Sequence, residues 1–308
     1  MSHYTVLVVC PADTVELNVH NYLDNALAPF FEQVESDSPY AVFHDMTEEC
    51  RQEYEERGTE RIIMPDGRRL LPWDEEFRVE GALSIGTKTH EPPAELEKRM
   101  VPYKEVYPSL EEFITEWHGY QFCETHNSYG YYHNPNAKWD WWALGGRWQG
   151  MLTAKPDASE SHLIYGEPGV FGARGDEYER PDGRFGCDGC RKGDLDFNWA
   201  REENIRSVHE RWEHMTAEGH QDNSGLRYFQ YGFDKDSTLD DELRKAQNCH
   251  PFYTFALLKE GIWYERGDMG WFACIANDKG RSEWCGELDQ LWNEIPDDSV
   301  LVVVDCHI

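Results

Sequence analysis

The 308 residues carry 59 Asp and Glu against 29 Lys and Arg, a formal charge of −30 at neutral pH. A surface this negative repels nucleic-acid backbones and anionic membranes, so it argues against direct nucleic-acid binding and membrane-surface roles and favours cations or basic protein surfaces. With 40% hydrophobic residues, 12 Trp, 16 Tyr and 14 Phe, the chain can still bury a core, and the acidity does not mean disorder.

No apolar run approaches the roughly 20 residues that cross a bilayer. The N-terminus enters the apolar run Val6 to Val9 without a basic segment or a small-residue cleavage site, which argues against a secretory signal. Nine cysteines, an odd number scattered along the chain, fit a reducing cytoplasm better than a disulfide framework.

Tyr4 to Val9 reads as a strand. Asp13-Thr14-Val15-Glu16 has capping-box spacing, and the apolar residues Leu17, Tyr22, Leu23, Ala26, Leu27, Phe30, Phe31 and Val34 predict an amphipathic helix behind it. Thr47 to Arg57 reads as an acidic helix stopped by Gly58, and Ile62 to Leu71 as a hairpin turning at Asp66-Gly67. Ser109-Leu110-Glu111-Glu112 opens another helix, to about His118. Gly166 to Gly186, rich in Gly, Pro and charge, reads as a long loop. Helices are predicted from about Asp196 to Glu218 and from Ser237 to Asn248. Phe252 to Leu258 and Ile262 to Glu265 flank a Lys259-Glu260-Gly261 turn. Trp284, Leu288, Leu291, Trp292 and Ile295 then share a helix face that stops at Pro296, and the wholly apolar Val300 to Val304 reads as a central strand.

In the terminal segments the order is strand, helix, strand, strand, helix, strand, that of a ferredoxin-like α+β sandwich. The expected architecture is therefore a ferredoxin-like core from residues 1–35 and 250–308, with the first and last strands side by side. Residues 36–249 form a large acidic, aromatic-rich α+β insertion.

The densest local feature runs from His126 to Trp148. Lys138, Trp139, Asp140, Trp142, Gly145, Gly146 and Arg147 combine flat stacking surfaces, cations and a Gly-Gly backbone that admits close approach, the ingredients of a site for a nucleotide or other planar anion. The same residues also suit an aromatic core layer, with Asp140 and Arg147 paired to lock the turn. No phosphate-loop spacing is present. Cys187-Asp188-Gly189-Cys190 has the spacing of a zinc half-site, and Cys123-Glu124-Thr125-His126 offers a second, so a structural zinc on Cys123, His126, Cys187 and Cys190 is a candidate. Two unrelated exposed or buried thiols would read the same way. Asp305 and His307 end the last strand and His3 opens the first, so these groups can meet at one sheet edge as an acid/base or metal pair.

The string Asn134-Pro135-Asn136-Ala137-Lys138-Trp139-Asp140-Trp141-Trp142 with Gly145-Gly146-Arg147-Trp148, the segment Gly267-Asp268-Met269-Gly270-Trp271, and the terminal Val304-Asp305-Cys306-His307-Ile308 resemble an uncharacterised family of proteins carried by bacteriophages and prophages. These motifs span the second half of the chain, and the acidic region from about 36 to 100 carries no such resemblance. The resemblance implies a genetic setting, with accessory or host-takeover roles that include blocking bacterial defence. The expectation is a non-enzymatic, cytoplasmic phage protein that inhibits or redirects a host protein with a basic surface, such as a nucleic-acid-processing defence complex. The alternative is a nucleotide-binding enzyme or sensor built on the aromatic Gly-Gly-Arg loop. Self-association into a homo-oligomer is compatible with either.

Overall fold

Val6 to Val8 and Leu301 to Val304 have no exposed surface at all, as expected for strands covered on both faces. They belong to a computed structural model that describes residues 2–79, 89–166, 184, 186–217 and 231–308, with only the backbone of Trp271. The chain divides into two compact units, residues 1–33 with 136–308, and residues 34–135.

The first unit is built on β1 (His3–Cys10), α1 (Val19–Leu27), β2 (Trp141–Leu144), β3 (Gly189–Arg191), α2 (Phe197–Thr216), α3 (Leu239–Asn248), β4 (Ala256–Lys259), β5 (Ile262–Glu265), α4 (Arg281–Glu294) and β6 (Val300–His307). Its main sheet runs β3-β6-β1-β4-β5, with β2 also pairing β6. The N- and C-terminal strands are neighbours, antiparallel, in register from His3 opposite His307 to Cys10 opposite Val300. Along the outer side of β6, β3 pairs with residues 300–302 and β2 with residues 304–307.

Strand alternation sends successive side chains to opposite faces. Val6, Val8, Val302 and Val304 pack with Val19, Leu23 and Leu27 of α1. Leu7, Leu301 and Val303 pack with Trp284, Leu288 and Trp292 of α4. The two helices therefore cover opposite faces of a mixed sheet.

This α+β arrangement corrects the ferredoxin-like expectation on two counts. A ferredoxin-like core is a split βαβ fold, in which another strand separates the two parallel strands of each unit. Here β4 lies directly beside β1 and parallel to it, Val6 opposite Ala256, with β5 outside. The two helices also flank the sheet, whereas a sandwich of that kind stacks both on one side. The domain boundaries move as well. Residues 136–249 belong with the terminal unit, because β2 and β3 complete its sheet and α2 packs beside α3.

Local signals fare unevenly. The side chain of Asp196 accepts from Trp199 N to cap α2, and Thr238 with Asp241 forms a capping box on α3. The first helix begins at Val19 rather than at Asp13, because Asn18 Oδ1 takes the Val15 amide (2.8 Å) and the intervening residues form turns. Most of the loop expected over Gly166 to Gly186 lies outside the described residues. Cys249 and Cys285 form a disulfide that ties the end of α3 to the second turn of α4, which corrects the reading of the cysteines as thiols throughout. Among the described residues, no helix is long and apolar enough to cross a membrane.

The second unit holds two three-stranded antiparallel sheets. One has Ser128–His133 between Val42–Asp45 and Gln121–Cys123. The other has Gly58–Ile63 between Arg69–Leu70 and Glu97–Pro102. The acidic helix Thr47–Glu56 buries Cys50 against Tyr103, Tyr107, Phe113 and Ile114 and turns Glu48, Glu49, Glu55 and Glu56 outward.

Candidate functional site

The aromatic stretch continues from the strand Ser128–His133 through β2 to the turn at Gly145–Trp148, and most of its groups are engaged by the protein itself. Lys138 Nζ lies 2.5 Å from Glu265 Oε1 and 3.5 Å from Asp268 Oδ1. Trp139 is buried, its Nε1 donating to Leu27 O at 3.0 Å and its ring packed on Phe31. Trp142 is half-buried beside His20. The expected Asp140–Arg147 pair is absent. Asp140 Oδ1 instead meets His307 Nδ1 at 2.5 Å, and the Arg147 side chain is exposed with no ion pair among the described residues.

Gly145 and Gly146 have positive φ, +68° and +51°, and both are crowded. A Cβ on Gly145 would sit 2.5 Å from Asp188 Cγ, and one on Gly146 would sit 2.4 Å from Asp305 Cβ. Both aspartates have no exposed surface. Asp188 accepts from the amides of Gly150 (2.6 Å) and Gly166 (2.5 Å), and Asp305 from that of Arg147 (3.0 Å). Burying a carboxylate is costly unless it is hydrogen-bonded, and here charge-assisted bonds to backbone amides meet that need. The close approach allowed by the two glycines is thus taken by the chain's own carboxylates, which shape the loop from within.

At the open end of the same loop, sheet register brings His3, His307 and Trp141 together, with His307 opposite both of the others. His3 Nδ1 donates to Asp305 Oδ1 at 2.9 Å, and His307 Nδ1 to Asp140 Oδ1, so two imidazole–carboxylate pairs stand side by side with ring centroids 4.8 Å apart. A carboxylate on Nδ1 fixes the tautomer that leaves Nε2 able to accept a proton. The edge suspected from His3, Asp305 and His307 is therefore assembled, and Asp140 joins it.

The zinc expectation is not met. Cys187 and Cys190 are fully buried among Leu152, Leu163, Leu195 and Leu301, because Cys190 pairs with Leu301 and Cys187 with Leu152. Cys123 and His126 lie in the second unit. Cys123 Sγ is 3.4 Å from the Tyr132 hydroxyl, a contact that lowers its pKa, and the His126 ring stacks on Phe43 at 4.3 Å. Among the described residues, no three His, Cys, Asp or Glu side chains are grouped to hold a metal. Glu210 and His214, at metal-ligand spacing on α2, are exposed. Within the Cys187–Cys190 segment the residue with a structural task is Asp188, which cysteine spacing alone does not single out. The chain matches no family model, no curated protein and no solved structure.

Proposed function

We propose that the protein is an acidic docking protein that binds a basic surface of a host protein, in the phage setting implied by its sequence motifs. The observation that carries this reading is an acidic surface with exposed aromatic side chains. Within residues 34–135, Tyr40, Trp73, Phe122 and Tyr131 are exposed on the unit that carries the outward-facing Glu residues of Thr47–Glu56. Aromatic side chains supply interface hot spots, and a negative field speeds encounter with a basic partner. Many of the scarce cations, among them Arg68, Lys138, Lys245, Lys259, Arg266 and Lys279, are ion-paired to the chain's own carboxylates, so the acidic excess is left to face solvent. The inferred partner is a nucleic-acid-handling defence protein, whose groove for phosphates would accept a carboxylate-rich surface.

The test is retention of host proteins by the tagged chain at low and at high salt, followed by competition. A basic, nucleic-acid-binding protein that elutes as salt rises and loses its nucleic acid when the chain is added supports the reading. Retention that ignores salt, or a partner that holds nucleic acid unchanged, refutes it.

A catalytic reading is favoured by one observation, the paired imidazoles of His3 and His307 with the exposed Arg147 on the adjoining loop. It predicts that an activity on a nucleotide or similar anion is lost in His307→Gln and in Arg147→Ala while the fold is kept. Lys138, ion-paired to Glu265 and Asp268, and Trp139, which is buried, are not part of that reading.

A further inference from the structure

Between α2, the segment after α3 and the start of α4 lies a cavity of about 280 Å³. Asn204, Ser207 and Arg211 line it from α2, His250 and Tyr253 from the segment after α3, and Arg281 from α4. No carboxylate is among its described lining residues, although the chain as a whole carries a charge of −30.

Arg211 and Arg281 have no ion pair among the described residues. Arg211 Nη1 donates to Tyr231 O at 2.8 Å and its plane lies over Phe233, while the Arg281 guanidinium lies over the Tyr253 ring, 5.2 Å from its centre. Desolvation first, and then the charge of Arg281, hold Arg211 below the ordinary guanidinium value, so the two cations feel one another. Glu242, the carboxylate that offsets this, is itself held by Lys245 at 2.6 Å.

His250 is 1% exposed. Its Nδ1 accepts from Phe252 N at 3.2 Å, which places the ring proton on Nε2. Burial pushes its pKa down to about 4, so this donor is a neutral imidazole at physiological pH. Nε2 is buried and has no hydrogen-bond partner among the described residues. A buried donor left unpaired is destabilising, and an acceptor brought by a ligand would satisfy it. The cavity also lies at the positive end of α4, where Gly280 provides no side-chain cap.

We propose that this cavity binds a small organic phosphate monoester, with its phosphate oxygens on Arg211 and Arg281, an acceptor for His250 Nε2–H, and its organic part against the Tyr253 ring. Two guanidiniums without an ion pair among the described residues match a dianion, and their planar forks suit phosphate oxygens better than a point charge would. Met151, Val208 and Pro251 supply an apolar wall that a bare inorganic anion would leave uncovered.

The experiment titrates the full chain with phenyl phosphate, inorganic phosphate and phenol by calorimetry. Phenyl phosphate is expected to bind at one site, inorganic phosphate more weakly and phenol not at all. Arg211→Gln and Arg281→Gln should each raise the Kd for phenyl phosphate at least about tenfold, the size of one charge-assisted hydrogen bond. Both residues sit at the surface, and an unchanged unfolding midpoint verifies that each variant is folded. In the unmutated chain, the His250 Nε2 proton resonance should move as phenyl phosphate is added. Absence of binding by phenyl phosphate, binding that both substitutions leave unchanged, or binding of phenol equal to that of phenyl phosphate would overturn the proposal. Equal affinity for inorganic and phenyl phosphate would overturn the ester assignment, and a His250 resonance that stays fixed while heat is released would overturn the role of its Nε2.

Discussion

Replacing Gly145 with Ala tests whether the Gly-Gly pair exists to admit buried carboxylates. The added Cβ would meet Asp188 Cγ at 2.5 Å, a separation real Cβ atoms do not tolerate, at a φ of +68° that L residues avoid. At φ +68° with ψ −60°, outside the left-handed helical well, the backbone conformation alone costs about 1–3 kcal/mol. Relieving the clash moves the Asp188 carboxylate off at least one of the Gly150 and Gly166 amides, and a charge-assisted bond of that kind is worth about 1.5–3 kcal/mol. The expected loss is therefore about 3–6 kcal/mol, read as a lower urea midpoint at constant m-value. Asp188→Ala alone strands two amide donors at about 1–3 kcal/mol each. In Gly145→Ala/Asp188→Ala the new methyl enters vacated space and only the backbone strain is added, so the pair should fall short of additivity by about 2 kcal/mol. Strict additivity, or a Gly145→Ala midpoint within about 1 kcal/mol of the parent, would refute the argument. In the first case the contact is not what crowds the glycine, and in the second the site relaxes freely.

Two further outcomes follow from groups far from that loop. His250 has a folded pKa lowered from 6.5 to about 4, so between these values the unfolded chain binds the proton that the folded chain refuses, and stability falls as pH drops through that window. The full loss is about 3 kcal/mol. It should appear as the difference between the parent and His250→Gln, since relaxation of the acidic self-repulsion is common to both; identical pH profiles would show that burial does not hold the ring neutral. The Cys249–Cys285 bond closes a sequence separation of 36 residues, for which loop-closure entropy gives about 4 kcal/mol. Reduction should lower the urea midpoint of the parent and leave that of Cys249→Ser/Cys285→Ser unmoved, and an unresponsive parent would remove the bond from the account of stability.

The parts of the fold legible in the sequence are those with strong local signals. Val300 to Val304 is wholly apolar because both faces are covered, and that pattern marked it as an inner strand, while Tyr4 to Val9 read simply as a strand. The helix starts expected at about Asp196 and at Ser237 hold to within two residues, because the side chains of Asp196 and Thr238 reach amides three residues on. Strand order was not legible, since nothing local in Ala256–Lys259 says whether it lies beside β1 or one strand away. β2 and β3, of four and three residues, are too short to show a period, so the chain from 136 to 249 read as an insertion. At the loop, composition flagged a Gly-Gly backbone that admits close approach, but spacing could not tell whether the anion that approaches it is a ligand or the chain's own Asp188 and Asp305. The same limit produced the zinc reading, because two cysteines at metal spacing say nothing about whether their strand buries them.

The proposed docking surface and the proposed anion cavity would make opposite electrostatic demands on one chain, and the range at which each charge acts resolves the conflict. Beyond about 8–10 Å at physiological salt an approaching molecule experiences the screened sum of the charges, which is negative and draws a basic partner while it repels a phosphate. Inside the cavity the nearest charges dominate. There the described lining holds Arg211 and Arg281, while Asp234 and Glu242 nearby are tied to Lys245 at 2.6 Å each. A phosphate must therefore arrive against the field and bind by contact, whereas a basic protein is recruited by the field and sorted by contact. Added salt weakens the recruitment of the protein and also lifts the barrier to the phosphate's approach. Salt-sensitive elution of a partner and tenfold weakening of phenyl phosphate by Arg211→Gln or Arg281→Gln consequently report on different charges, and neither result can stand in for the other.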